Sequence, residues 1–111
     1  MIDIGERYVY ITSNQEIWLM DEKDTTDRLS RMEGNMGLVN LGKTKYLMLY
    51  SKDHAIAYEG NEYLVGEIII CKDDNGLQPL KLYEIMEAIE EFSSRLVDAY
   101  FDGKPVQAFW N

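Results

Sequence analysis

From Gly37 to Cys71 the chain is a run of short apolar segments joined by turns too brief to hold a crossover. Leu38-Val39-Asn40-Leu41 is followed by Gly42-Lys43-Thr44-Lys45, and Tyr46-Leu47-Met48-Leu49-Tyr50 by Ser51-Lys52-Asp53. Ala55-Ile56-Ala57-Tyr58 is followed by Glu59-Gly60-Asn61-Glu62, and Tyr63-Leu64-Val65 leads into Ile68-Ile69-Ile70-Cys71. β-Branched and aromatic residues fill the segments, while Gly, Asn, Asp and Lys fill the gaps, which is strand and turn chemistry. A parallel connection needs roughly a dozen residues, so these neighbours can only be antiparallel, and the expectation is a meander. Gly66 interrupts the last segment and marks a bulge or a close approach of another backbone.

The flanks add a hairpin and helices. Arg7 to Ile11 and Ile17 to Met20 read as two strands around the turn Thr12-Ser13-Asn14-Gln15. Residues 21–36 are polar. A short helix is expected near 25–32, capped by Asp24 or Thr25 and ended by Gly34, with a loop as the alternative. Further on, Asp73-Asp74-Asn75-Gly76 breaks the strands and Pro79 suits a first helical turn. Leu82, Ile85, Met86, Ile89, Phe92, Leu96 and Tyr100 then recur at helical spacing up to Gly103 and Pro105, with Glu84, Glu87, Glu91, Asp98 and Asp102 on the other side. Val106 to Trp110 reads as a short edge strand or a cover over the core. The implied fold class is α+β: an antiparallel β-meander of five to six strands with one long amphipathic C-terminal helix packed on one face, in a single domain over residues 1–111.

Composition narrows the function classes. Twenty acidic residues against eleven basic ones give a formal net charge of −9. That disfavours direct nucleic-acid binding, which needs Lys and Arg to neutralise phosphates, and adsorption to anionic membranes. A basic protein partner, a cation or simple solubility fits better. The single cysteine, Cys71, excludes an internal disulfide. The N-terminus lacks a signal-peptide pattern and no apolar run is long enough to span a bilayer, so a cytoplasmic location is expected.

Several motifs invite chemistry, and each is outweighed by its context. Gly37-Leu38-Val39-Asn40-Leu41-Gly42-Lys43-Thr44 satisfies the phosphate-loop pattern letter for letter. That loop needs a strand before it and a helix N-terminus behind it. Here a polar stretch precedes and a strand-like segment follows, so a hairpin turn is expected. Asp73-Asp74-Asn75-Gly76 resembles a calcium loop, but aligning its glycine puts Cys71 and Leu82 at ligand positions they cannot serve. A His54–Cys71 catalytic pair would require tertiary proximity, and Cys71 at the end of an apolar strand reads as a small hydrophobe. Neighbouring carboxylates such as Glu59 with Glu62 read as solvated surface. No cofactor or metal is called for.

Tyrosine placement is the least ordinary feature. Strand alternation puts Tyr46, Met48 and Tyr50 on one face, with Tyr58 and Tyr63 on faces of their own strands. If the helix covers the opposite face, these five form an aromatic interaction surface, since Tyr and Met are enriched in interface cores. Otherwise they pack as core. The functional expectation is a non-enzymatic interaction or regulatory protein acting on a protein partner or on a copy of itself. The alternatives are a small-molecule binding module or small enzyme with a pocket between sheet and helix, and a nucleic-acid mimic whose row of helix acids (Glu84, Glu87, Glu91, Asp98 and Asp102) imitates phosphates.

Overall fold

A computed structural model describes residues 5–12, 14–32, 35–101 and 103–110. Among the described residues the fold is mostly β, with 49% of them in strands, two sheets and two short helices. It is not a meander under one long C-terminal helix. The strands are β1 (Tyr8–Ile11), β2 (Ile17–Met20), β3 (Met36–Asn40), β4 (Tyr46–Ser51), β5 (Ala55–Tyr58), β6 (Asn61–Leu64), β7 (Ile68–Asp73), β8 (Leu77–Gln78), β9 (Leu96–Phe101) and β10 (Lys104–Trp110). Helix α1 covers Glu22–Met32 and α2 covers Leu82–Ser93.

The larger sheet has the order β2-β1-β7-β4-β3, with β8 also paired to β7; the smaller has the order β5-β6-β10-β9. All pairings are antiparallel. The meander fails at two points. A 3-10 turn at Lys52–His54 takes the chain out of the larger sheet after β4, and β7 returns to it between β1 and β4. At the return, Gly66 is buried, and a Cβ there would collide with the His54 side chain, so the glycine permits a close approach of a side chain.

Each face of the larger sheet is covered. Val9, Ile11, Tyr46, Met48, Ile68 and Ile70 pack with Ile85, Ala88 and Phe92 of α2 and with Leu64 and Phe109 of the smaller sheet. Phe92 and Phe109 stack with centroids 4.8 Å apart. On the far face Tyr8, Tyr10, Leu49, Ile69 and Cys71 pack with Leu29 and Met32 of α1. Strand β7 is buried on both sides, which explains why Ile68-Ile69-Ile70-Cys71 shows no polar alternation.

Helix α1 starts earlier than the segment 25–32 because Asp21, not Asp24 or Thr25, supplies the cap: its Oδ1 accepts the Asp24 N–H at 2.8 Å. Helix α2 starts at Leu82, later than Pro79 suggests. Glu84 reaches back to the Lys81 N–H at 2.9 Å, the glutamate half of a capping box, since a lysine side chain has no acceptor for the other half. Its buried stripe is Glu84, Ile85, Ala88 and Phe92, whereas Leu82 and Met86, expected in the core, are 51% and 65% exposed. The small Ala88 sits mid-stripe and is fully buried, and Leu82 and Met86 lie off that stripe.

The helix ends at Ser93. Ser94 Oγ donates to the Glu91 carbonyl at 2.7 Å, the kind of local bond with which serine competes against continued helix. Leu96, Asp98 and Tyr100 therefore lie on strand β9, not on a helix. Phe101 pairs with Lys104, and Gly103 between β9 and β10 has φ of 76°. Asp102 lies outside the described residues. Strand β10 is an interior strand of the smaller sheet, not an edge, and Pro105 stands where it has only β9 beside it.

Candidate interaction surface

The smaller sheet is built from two tight hairpins. Between β5 and β6, Glu59 and Gly60 both take positive φ, 49° and 81°, the geometry of a type I′ turn that matches strand twist. Register then sorts the side chains. Ala55, Leu64, Phe109 and Leu96 lie in one cross-strand row and contribute to the shared core. The next row, Ile56, Tyr63 and Trp110, must by alternation point to the opposite face. Tyr58 follows two residues after Ile56, and Val97 and Ala99 take the same face of β9.

On that face these residues line a groove of about 560 Å³, with Asp98 and Tyr100 completing its wall. Tyr58 is 62% exposed, Tyr100 76% and Trp110 46%. Asp98 puts a carboxylate in that wall, so the groove is an aromatic floor with an acidic residue at its margin.

The five tyrosine-face residues named from the sequence part company. Tyr46 and Met48 are buried against α2, at 2% and 0% exposure, and are core. The Tyr46 hydroxyl donates to Glu87 Oε2 at 2.6 Å; burial, then that bond, push its pKa up. Tyr50 is half-buried beside the same core, and its hydroxyl donates to Glu62 Oε1 at 3.2 Å. Only Tyr58 and Tyr63 reach the groove. Its other aromatic members, Tyr100 and Trp110, are hidden in the sequence because Leu96 to Tyr100 also fits helical spacing and because Val106 to Trp110 fits an edge strand or a cover over the core without showing which face its aromatic residues take. The signal that could have found them is Asp102-Gly103 between two aromatic, β-branched segments.

The acidic row is also taken apart. Glu84 is 1% exposed; its Oε2 meets Lys45 Nζ at 2.8 Å and its Oε1 meets Lys72 Nζ at 2.9 Å. Burial alone would raise its pKa, but the Lys45 ammonium, the Lys81 N–H and the Lys72 ammonium outweigh it and hold the carboxyl at about 2. Glu87 accepts from Tyr46, and Glu91 accepts from Arg95 Nε at 2.9 Å. Asp98 lies on another element. A phosphate-like line of free carboxylates along one helix is not formed by these four.

The phosphate-loop pattern is a β3–β4 hairpin whose glycines have packing reasons. A Cβ on Gly37 would collide with the Tyr50 ring, which lies across it from the paired position. Gly42 has φ of 57°, and a Cβ there would come 2.5 Å from Arg95 Nη2. Residues 74–76 connect β7 to β8, with the Gly76 N–H donating to Asp73 Oδ1 at 3.3 Å. Cys71 is fully buried and its thiol is pushed up to about 12 by burial, then by Asp73, so it carries no thiolate, while His54 is exposed. Among the described residues no group of His, Cys, Asp or Glu is arranged to hold a metal ion, and no helix is long and apolar enough to cross a membrane.

Between α2 and the larger sheet the space is filled by Ile85, Ala88 and Phe92 against Met48 and Phe109. A polar depression of about 470 Å³ at its rim is lined by Lys45, Tyr46, Glu87 and Glu91, not by His54 or Cys71. Comparison with known protein families, with curated proteins and with solved structures finds no match to the chain.

Proposed function

We propose that this is a non-enzymatic interaction protein that receives a basic segment of another protein on the aromatic groove of its smaller sheet. The observation that carries the reading is the gathering of Tyr58, Tyr63 and Trp110 on one uncovered sheet face, with Tyr100 in the groove's wall. Aromatic residues are enriched at interface cores because they bring large rigid area with a polar tip. The partner's sign follows from charge. Asp98 lines the groove, and the chain carries a net charge of −9. An arginine or lysine of the partner gains from the tyrosine and tryptophan faces as well as from the carboxylate.

The test uses Trp18→Phe protein, in which Trp110 is the only indole. Titration with short peptides that combine arginine and leucine should give a saturable change in Trp110 fluorescence that weakens as salt rises. Tyr58→Ala should weaken binding at least tenfold. A flat titration, or equal binding by the Tyr58→Ala and Tyr100→Ala proteins, sinks the proposal.

A further inference from the structure

Strand β2 is an edge of the larger sheet, and Ile17, Trp18 and Leu19 are 45%, 55% and 44% exposed. Protein edges are ordinarily blunted by lysine, proline or a bulge, because unpaired N–H and C=O groups invite another strand. Ile17-Trp18-Leu19-Met20 has none of these.

The phase of the ladder says which groups are open. The Thr12 N–H donates to the Glu16 carbonyl at 2.9 Å, in register with the pairs Tyr10↔Trp18 and Tyr8↔Met20. Hydrogen-bonded and non-bonded pairs alternate in an antiparallel ladder. Trp18 therefore bonds inward to β1, and Ile17 and Leu19 direct their backbone N–H and C=O to the vacant edge.

The two faces beside that edge differ. Ile17 and Leu19 pair with Ile11 and Val9, which face the α2 side, so they extend an apolar surface there. On the α1 side Trp18 lines a cavity of about 470 Å³ with Glu16, Asp24 and Asp27 in its wall. Two arginines also line it. Arg28 is 5.0 Å over the Tyr10 ring and 3.7 Å from Glu67, and Arg31 lies a full helical turn beyond Asp27.

We propose that the β2 edge accepts, by strand addition, an extended segment of a partner protein in which apolar and basic residues alternate. Its apolar side chains cover Ile17 and Leu19. Its lysines or arginines lay their stems on Trp18 and their charges toward Glu16, Asp24 and Asp27. A second copy of this chain fits poorly. An antiparallel β2–β2 pair would set Glu16 of one copy near Asp21 and Glu22 of the other, between two chains of net charge −9 each. This site is separate from the aromatic groove and stands or falls independently of it.

The test uses Trp110→Phe protein, so that Trp18 is the only indole, and a capped hexapeptide alternating lysine and valine. The peptide should change Trp18 fluorescence saturably and slow hydrogen exchange at the Ile17 and Leu19 amides. The same peptide N-methylated at alternate residues should bind at least tenfold more weakly, as should a version with glutamate in place of lysine. Leu19→Pro, which removes an outward N–H while leaving the β1 ladder intact, should weaken binding by a similar factor. Equal binding of the N-methylated or the glutamate peptide overturns the proposal. So does unchanged exchange at Ile17 and Leu19, or a concentration-dependent dimer whose Ile17 and Leu19 amides are already protected without peptide.

Discussion

The two sheets of this protein solve the same packing problem differently. The larger is sandwiched, with α2 and the smaller sheet on one face and α1 on the other. Its central strand β7 is apolar at four successive positions and buried at all of them. The smaller sheet gives one face to the shared core and leaves the other, with Tyr58, Tyr63 and Trp110, in a groove. Apolar residues on a fully covered sheet make stability, whereas aromatic residues on a half-covered one are free to make contacts. The contrast predicts that substitutions in the first should damage folding and those in the second should damage binding.

The strongest way to break that contrast is at the centre of the larger sheet. Ile70→Ala should lower stability by about 3–4 kcal/mol in urea unfolding, because Ile70 is fully buried under α2 and the smaller sheet, and that layer cannot close the cavity. A loss below about 1 kcal/mol would show that the layer collapses over the gap instead of clamping β7.

Next in size is the buried carboxylate that ties α2 to the larger sheet. Glu84→Gln weakens two ammonium contacts and should cost about 2 kcal/mol at neutral pH. The sign of its pH dependence follows from a folded-state pKa held at about 2, below the ordinary 4.5. The stabilisation is present above about pH 4.5 and is lost as pH falls toward 2. The difference between wild type and variant should therefore shrink over that window, and a constant difference would remove Glu84 from the account.

A smaller effect is expected at Gly37→Ala, about 1–2 kcal/mol, because the new methyl displaces the Tyr50 ring that lies over the glycine. Thermal unfolding of that variant checks whether the ring or the backbone yields. The smallest stability change belongs to the groove. Tyr58→Ala should alter stability by no more than about 0.5 kcal/mol while weakening peptide binding tenfold. A large stability loss there would sharpen the comparison against us, by showing that the aromatic face also holds the smaller sheet together.

Much of the strand content was readable in advance, and for local reasons. The β1–β2, β3–β4 and β5–β6 hairpins each join apolar segments through turn residues, and Gly42 and Gly60 do take positive φ. Rejecting a phosphate loop at Gly37–Thr44 was equally local, since a strand follows where a helix was needed. The region 96–101 was misread because Leu96 and Tyr100 continue the i, i+4 spacing from Phe92 while also fitting a strand. Six residues rarely decide between the two periods. The tyrosine face was half misjudged because alternation groups residues on a face without saying what lies opposite that face.

The sequence by itself determined the turns of the β1–β2, β3–β4 and β5–β6 hairpins, that the segments they join are extended, and that Cys71 is core, because turn geometry and side-chain alternation act over a few residues. Only the tertiary structure decided that β4 and β5 belong to different sheets, that Glu84 is buried while Met86 is not, and that Tyr46 is core while Tyr58 is surface. Burial of apolar area has no direction of its own. Which face is covered depends on partners far along the chain, and the stack of Phe109 on Phe92 is one such contact.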